Sequence, residues 1–285
     1  MTAETPSAAV PARPAVSRDG LAPSPGGSRA RARTGADPAV SDPVTGARAG
    51  GTQAQAFQPA PRAPLSQITG IRIAAHYRPA TPGAAAGGDL YEIIPTPHGT
   101  RVIIGDVRGQ GPDAALLARH VLTAFRQSAA AVPVLGHLAG DISRAIGPHL
   151  GEEDFVTAAL AQITPGGTLT IVNCGHHPPL LHRRGVLRPL ASQTAALPLG
   201  LDDDFTAFTT RWQPGDRLLL YTDGLVESRN RHGDFLPHDL IGAALLAPGC
   251  DQALDTLMTA VHRHTGGHSH DDIALLLLEH GTQPR

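Results

Sequence analysis

A short aliphatic run that ends in an acid and two glycines constrains this chain most. Residues 102–104 have the β-branched side chains of a buried strand, and Asp106 follows two positions later. Gly109 and Gly111 then allow a turn, and Pro112 begins a helical pattern. An aspartate at the end of a buried strand is costly unless a cation neutralises it. The run therefore predicts that something positively charged lies beside Asp106.

Residues 1–66 differ in composition from the rest of the chain. They are rich in Ala, Pro, Gly, Arg and Ser, and they have almost no large apolar side chains and no helical or strand periodicity. Such a segment cannot bury enough surface to offset the entropy lost on ordering. We predict a disordered tail over residues 1–66 and one folded domain over residues 67–281.

Composition argues against several classes of protein. The net charge is −2, and all 23 basic residues are arginine, so no basic patch predicts nucleic-acid binding. The two cysteines, Cys174 and Cys250, are too few for a disulfide framework or a zinc knuckle. The N-terminus lacks the pattern of a signal peptide, and the aliphatic run 273–278 is too short to span a membrane. We predict a cytoplasmic protein that binds neither nucleic acid nor membrane.

Periodicity predicts an α+β fold. Helical spacing of apolar residues marks four segments, at 112–130, 134–149, 237–246 and 252–264. Strand patterns occur at 71–77, 86–94, 102–106, 155–163, 168–174, 179–182, 185–190, 205–211, 216–222 and 273–279. The connections between consecutive strands are short, which favours antiparallel pairing. The element order therefore indicates a β-sandwich of two antiparallel sheets flanked by helix pairs.

Acidic residues recur directly beside these predicted strands. Asp89 follows two glycines, Asp106 and Asp223 end aliphatic runs, and Asp271 and Asp272 precede the last strand. Carboxylates gathered from distant parts of a sheet are ligands that Mg²⁺ or Mn²⁺ prefers. An acid beside a turn is also a common turn or capping residue, so spacing alone leaves that alternative open.

Five motifs resemble, in order and spacing, those of the metal-dependent PPM-type protein phosphatases. The resemblance is strongest to the SpoIIE-like branch, which contains bacterial serine phosphatases. The motifs are GGDLY at 87–91, GDVRGQG at 105–111, NCGHHPPL at 173–180, LYTDGLVE at 220–227 and DDIA at 271–274. The resemblance implies an α-β-β-α sandwich with a centre for two metal ions, Mn²⁺ or Mg²⁺, at one end.

The resemblance also assigns the site. Its implied catalytic residues are Asp89, Asp106, Asp223 and Asp271, and its implied metal ligands are these four, the Val107 carbonyl and Asp272. Asp106 would bridge the two ions, and Asp271 is favoured over Asp272 because the family's ligand is the first residue of that motif. Water activated by the two ions would then attack phosphorus directly, without a protein nucleophile.

The implied function is a protein serine/threonine phosphatase that acts on a small regulatory phosphoprotein of the anti-anti-sigma-factor type, with a homodimer as a further expectation. Two positions depart from the family pattern. Gln110 stands where many members have His or Lys, and it cannot act as a cationic acid. Arg108 is the candidate contact for phosphate, although a solvated surface arginine is the simpler interpretation. The alternative function is a catalytically weak or inactive phosphatase-fold module that binds and regulates.

Two other patterns suggest different chemistry. Residues 109–114 fit the dinucleotide-binding pattern G-x-G-x-x-A, but no second strand follows the predicted helix, as that motif requires. Histidines that could bind zinc occur at His176, His177, His262, His264, His268 and His270. We interpret the first pair as structural, and the C-terminal four as solvated residues of a glycine-rich loop.

Overall fold

The computed structural model describes residues 70–80, 87–191, 196–268 and 271–281, so the predicted tail at 1–66 lies outside the described residues. The first part of the chain forms β1 (Ile71–Arg78), β2 (Leu90–Thr96), β3 (Gly99–Val107), α1 (Pro112–Ser128), α2 (Leu135–Ile146) and a 3₁₀ turn (Gly147–His149). The middle part forms β4 (Val156–Ile163), β5 (Thr168–Cys174), β6 (Leu180–Arg183), β7 (Val186–Pro189) and β8 (Ala207–Arg211). The last part forms β9 (Arg217–Tyr221), α3 (Asp223–Val226), α4 (His238–Ala244), α5 (Cys250–Thr265) and β10 (Ile273–His280).

The strands form two five-stranded sheets. The first sheet has the order β1-β10-β9-β6-β7, and the second has the order β2-β3-β4-β5-β8. Neighbouring strands are antiparallel throughout both sheets. The antiparallel second sheet rules out a parallel dinucleotide-binding unit around residues 109–114. The predicted α+β sandwich is confirmed.

The apolar residues form three cores that give the fold its four layers. One core lies between the two sheets, one packs α1 and α2 on the second sheet, and one packs α4 and α5 on the first sheet. Because β3 and β10 are covered on both faces, they are buried almost throughout, unlike half-exposed strands. No helix in the described ranges is long and apolar enough to span a membrane.

The predicted and observed elements differ in detail. The second predicted strand, 86–94, begins too early, because β2 starts at Leu90. The organising strand continues one residue past Asp106, to Val107. The predicted helix 134–149 ends at Ile146 and continues as the 3₁₀ turn. The four-residue helix α3 was not predicted.

Arginine–carboxylate pairs secure one end of the two central strands of the first sheet. Asp216 precedes β9, and its side chain is 2% exposed and accepts two hydrogen bonds from Arg183, at 2.8 and 2.6 Å. Glu279 lies near the end of β10, and its carboxylate pairs with Arg217 at 3.1 Å and with Arg72. Every buried acid at this end therefore faces an arginine among the residues that the structure describes.

Candidate metal centre

The opposite end of β9 and β10 is acidic. The two strands are antiparallel neighbours, with Tyr221 opposite Leu275, so the end of β9 lies beside the start of β10. Asp223 follows β9, and Asp271 comes shortly before β10. A Cβ atom on Gly224 would overlap the Asp272 backbone carbonyl. Glycine is therefore needed for these two segments to pack this closely.

The second sheet contributes its own acids to the same end. Asp106 lies near the end of β3, and the turn before β2 returns to it through a hydrogen bond from the Val107 amide to the Gly88 carbonyl, at 3.2 Å. A Cβ atom on Gly88 would overlap the Val107 carbonyl oxygen and lie 2.7 Å from Asp106 Oδ1. The glycine thus permits the close approach that brings Asp89 to the end of β3.

Two hydrogen-bonded links join the sheets at this end. Thr222 is fully buried, and its hydroxyl donates to Asp89 Oδ2 at 2.8 Å and accepts from the Ala274 amide at 2.9 Å. His176 lies between the Tyr221 carbonyl and the Thr157 hydroxyl, each at 2.9 Å. Because a carbonyl only accepts, Nε2 carries the proton and Nδ1 accepts from Thr157. Both ring nitrogens are therefore used, and His176 is structural, as predicted.

The four predicted acids influence one another electrostatically. Burial raises the pKa of Asp89 well above its ordinary value, and Asp106 is the strongest neighbouring charge. The pKa of Asp106 rises to about 7, because the group is buried and faces the charges of Asp223 and Asp271. Burial also raises the pKa of Asp223 and of Asp271, and Asp223 raises that of Asp271 further. Acids from four separate stretches therefore share one electrostatic environment.

Asp272 forms hydrogen bonds with two segments beside the acids. Its Oδ2 accepts a hydrogen bond from the Tyr77 hydroxyl at 2.9 Å, and its Oδ1 accepts one from the Ala80 amide at 2.7 Å. The Tyr77 hydroxyl in turn accepts from the Gly87 amide at 3.3 Å. A Cβ atom on Gly87 would overlap the Asp272 carboxylate. Asp272 thus connects the end of β1 to the turn that carries Asp89.

The donor set suits hard divalent cations. Its side chains offer carboxylate oxygens, and its acids repel one another, as the raised pKa values of Asp89 and Asp106 indicate. Among the described residues, no three acidic, histidine or cysteine side chains already converge as a complete cage around one point. The chemistry of the donors therefore fits a metal centre, and the ligand assignment itself stays a prediction.

The remaining candidates have other partners or are exposed to solvent. The Arg108 guanidinium donates to the Glu153 carbonyl and pairs with the Glu153 carboxylate at 3.2 Å. His262 and His268 are exposed, and His264 bonds to the Asp234 carbonyl at 3.0 Å. His270 lies outside the described residues. The prediction of a glycine-rich loop was wrong for His262 and His264, because both lie in the last turn of α5, and His264 is partly buried. Exposure of His262 and His268 agrees with the solvated role predicted for them.

Sequence reasoning missed two residues that shape the site. Thr222 and Tyr77 contact Asp89 and Asp272 across 133 and 195 positions of sequence. A hydroxyl residue directly before an acid at a strand end was the available signal for Thr222. Nothing in the local sequence marks Tyr77, because its partner becomes apparent only when β1 pairs with β10.

Comparison with known proteins identifies the family. Residues 96–281, more than half of the chain, match the family described as Stage II sporulation protein E (SpoIIE). The chain belongs to the SpoIIE family. The resemblance predicted from the five motifs is therefore confirmed at the level of the family.

Individual relatives of this SpoIIE-family chain agree with that assignment. The phosphoserine phosphatase RsbU of Bacillus subtilis (strain 168) is 21% identical over 209 residues, which covers 70% of this chain and 61% of RsbU. The structure of the RsbU and RsbW domains of Rv1364c from Mycobacterium tuberculosis is 26% identical, with a TM-score of 0.66, and the match covers 76% of this chain and 61% of that one. The SiaA-PP2C domain of Pseudomonas aeruginosa is 20% identical, with a TM-score of 0.63, over 73% of this chain and 85% of that one.

Proposed function

We propose that this SpoIIE-family chain is a metal-dependent protein serine/threonine phosphatase. The observation that carries the proposal is the meeting of acids from both sheets at one end, where burial and mutual repulsion raise their pKa values. Similarity to a protein named phosphoserine phosphatase supports the reaction class. Hard-cation ligands in that position are what phosphate ester hydrolysis through activated water requires.

The proposed metal ligands come from four places in the fold. They are Asp89, Asp106, the Val107 carbonyl, Asp223 and Asp271, for two Mn²⁺ or Mg²⁺ ions. Cations bound there supply Lewis acidity, which activates water near neutral pH and offsets charge on phosphoryl oxygens. A solved structure of the same fold, the catalytic domain of the phosphatase PstP, is a complex with two manganese ions at 18% identity and a TM-score of 0.56. Manganese is therefore the first metal to test.

The chain's own residues position this set. Thr222 fixes one oxygen of Asp89, which leaves the other oxygen to bind a cation. We assign Asp272 to structure, because Tyr77 and the Ala80 amide engage both of its oxygens. Gln110 cannot donate a proton as an acid, so the leaving serine oxygen takes its proton from water.

The proposed substrate is phosphoserine or phosphothreonine on a small regulatory protein of the anti-anti-sigma-factor type. Family membership and the relation to RsbU support this class of substrate. A homodimer stays a prediction, and light scattering of the purified protein would check it. Activity measured on isolated monomers would show whether a dimer is needed for turnover.

Hydrolysis of p-nitrophenyl phosphate with Mn²⁺ tests the proposal. We expect metal-dependent turnover by the wild type and a loss of at least about 100-fold in Asp106→Asn. Asp251→Asn is the matched control, because Asp251 is an exposed acid on α5, away from the site, and its turnover should equal that of the wild type. No metal-dependent turnover by the wild type, on this substrate or on phosphoproteins, would contradict the proposal and favour the binding-module alternative.

A further inference from the structure

A groove lies along α1 and begins at Val107, the residue after Asp106 of the candidate metal centre. Its volume is about 460 Å³, and it lies between α1 and the segment that joins the 3₁₀ turn to β4. Its walls begin at Val107, whose carbonyl is a proposed ligand, and continue through the glycine turn. The side chains that line it include Arg108, Asp113, Leu116, His120, His149 and Asp154. A peptide whose phosphorylated residue reaches the acids would have its neighbouring residues at this groove.

The charge of the groove is negative. Asp113, in the first turn of α1, and Asp154 contribute two carboxylates to its walls. The positive wall residue, Arg108, is already paired with the exposed Glu153 at 3.2 Å. The hydrogen bond from the Gly151 amide to Asp154 Oδ2, at 2.9 Å, holds that carboxylate in place. The charge is therefore complementary to a basic side chain.

The rest of the lining suits a long, flat cationic side chain. His120 and His149 stack with ring centroids 3.7 Å apart and an angle of 10° between their planes, which forms a flat wall. A guanidinium group stacks on such a surface more readily than an ammonium group does. Leu116 is 51% exposed beside them and can pack against the aliphatic part of an arginine.

The length of the groove sets a spacing. Asp113 and His120 are seven residues apart on α1, which corresponds to about 10 Å along the helix. An extended peptide covers that distance in about three residues. Because the groove begins at Val107 and is about three residues of extended peptide long, we propose that it binds an arginine within about three residues of the phosphoserine of the substrate. This inference rests on the proposed function and adds a sequence preference to it.

Two matched phosphoserine peptide pairs test the groove. Each pair carries arginine or its neutral isostere citrulline, three residues before the phosphoserine in one pair and three residues after it in the other. On one of the two sides we expect a kcat/KM about fivefold higher for arginine, which 0.5 M NaCl should reduce. The double variant Asp113→Asn/Asp154→Asn should bring this ratio close to one. Asp251→Asn should keep the wild-type ratio.

The ratio is measured within one enzyme preparation, so a general loss of activity in a variant cancels. A ratio near one on both sides in the wild type would overturn the inference. A ratio that survives in the double variant would also overturn it, because the two carboxylates would then not be the source of the preference. Thermal unfolding of each variant confirms that it is folded.

A binding measurement separates this inference from the proposed function. Unphosphorylated peptides with arginine or citrulline, labelled with a fluorophore, are titrated with the protein in Mn²⁺ buffer, and anisotropy gives each Kd without turnover. If neither p-nitrophenyl phosphate nor the phosphoserine peptides are hydrolysed, the phosphatase proposal fails, whereas an arginine preference in Kd that depends on Asp113 and Asp154 would still support the groove. Normal hydrolysis of p-nitrophenyl phosphate with equal Kd values for both peptides would reject the groove alone.

Discussion

Acidic residues lie at both ends of the neighbouring strands β9 and β10, and the charges that surround them differ between the two ends. At one end, Asp216 and Glu279 are buried against arginines. At the other end, Asp223 and Asp271 face further acids, and their pKa values rise. Buried acids are tolerated when an opposite charge accompanies them. We infer from the contrast that the chain supplies its own cations at one end and is matched to metal ions at the other.

The arginine-paired end should show the largest loss of stability on neutralisation. Asp216→Asn leaves Arg183 without its charged partner, and we expect the free energy of unfolding to fall by about 3 to 5 kcal/mol. Urea denaturation followed by circular dichroism measures this change. Turnover per folded molecule should stay at the wild-type level, because Asp216 lies at the opposite end of β9 from the acids. An unchanged unfolding free energy would contradict the description of this end.

At the acid-rich end, protonation of His176 should lower the free energy of unfolding in acid, whereas protonation of the aspartates with raised pKa values acts in the opposite direction. Burial lowers the pKa of His176 to about 4, against an ordinary value of 6.5. The unfolded chain therefore binds a proton between pH 6.5 and 4 that the folded protein does not, so stability falls as the pH drops through this window. We expect this histidine to account for up to about 3 kcal/mol of the loss by pH 4.

Denaturation of the wild type and His176→Asn at several pH values isolates this contribution. The variant should be less stable at pH 7.5, because it loses the link between the sheets, but its stability should depend less on pH below 6.5. If the free energy of unfolding changed equally with pH in the two proteins, His176 would not be the source of the predicted loss.

Neutralising an acid at the acid-rich end should raise the free energy of unfolding, whereas Asp216→Asn should lower it. In metal-free protein at pH 7.5, Asp106→Asn removes a buried charge that faces other acids, and we expect a gain of about 1 to 2 kcal/mol in unfolding free energy. Adding Mn²⁺ should reverse the order, because the wild type gains binding energy that the variant lacks. Thermal unfolding with and without Mn²⁺ measures both effects. Destabilisation of the metal-free variant would contradict the repulsion on which the comparison depends.

The smallest effect should come from the link between β1 and the Asp89 turn. Tyr77→Phe removes one hydrogen bond to Asp272, worth about 1 kcal/mol. The apparent Kd for Mn²⁺, measured by calorimetry, should change less in this variant than in Asp271→Asn. A larger effect of Tyr77→Phe than of Asp271→Asn would indicate that Asp272 is the ligand of the pair.

The fold was largely predictable because its local signals agree with its packing. Thr168–Cys174 is a strand at the predicted bounds, and Pro112 begins α1 as its fixed backbone angle favours. The start of β2 was wrong because Gly88 is positioned by the Val107 amide, a contact between distant parts of the chain. Such contacts leave no periodicity in the sequence.

The acids of the candidate site could also be proposed from the sequence, but their contacts could not. Acids beside strand ends suggested these residues, but spacing alone left a turn or capping role open, and the resemblance of the five motifs was needed to assign them; the ligand assignment stays a prediction. The different uses of Asp271 and Asp272 could not be derived from their spacing, because they depend on Tyr77 and the Ala80 amide beside the paired strands. The His120–His149 stack was also not predictable, since one ring lies on α1 and the other on the 3₁₀ turn.

The most direct test of the account is the anomalous scattering of manganese in a crystal soaked with Mn²⁺. The account predicts strong peaks within about 2.5 Å of carboxylate oxygens of Asp89, Asp106, Asp223 and Asp271, and none beside Asp216 or Glu279. Peaks absent from the acid-rich end, with the four carboxylates turned away from one another, would contradict it.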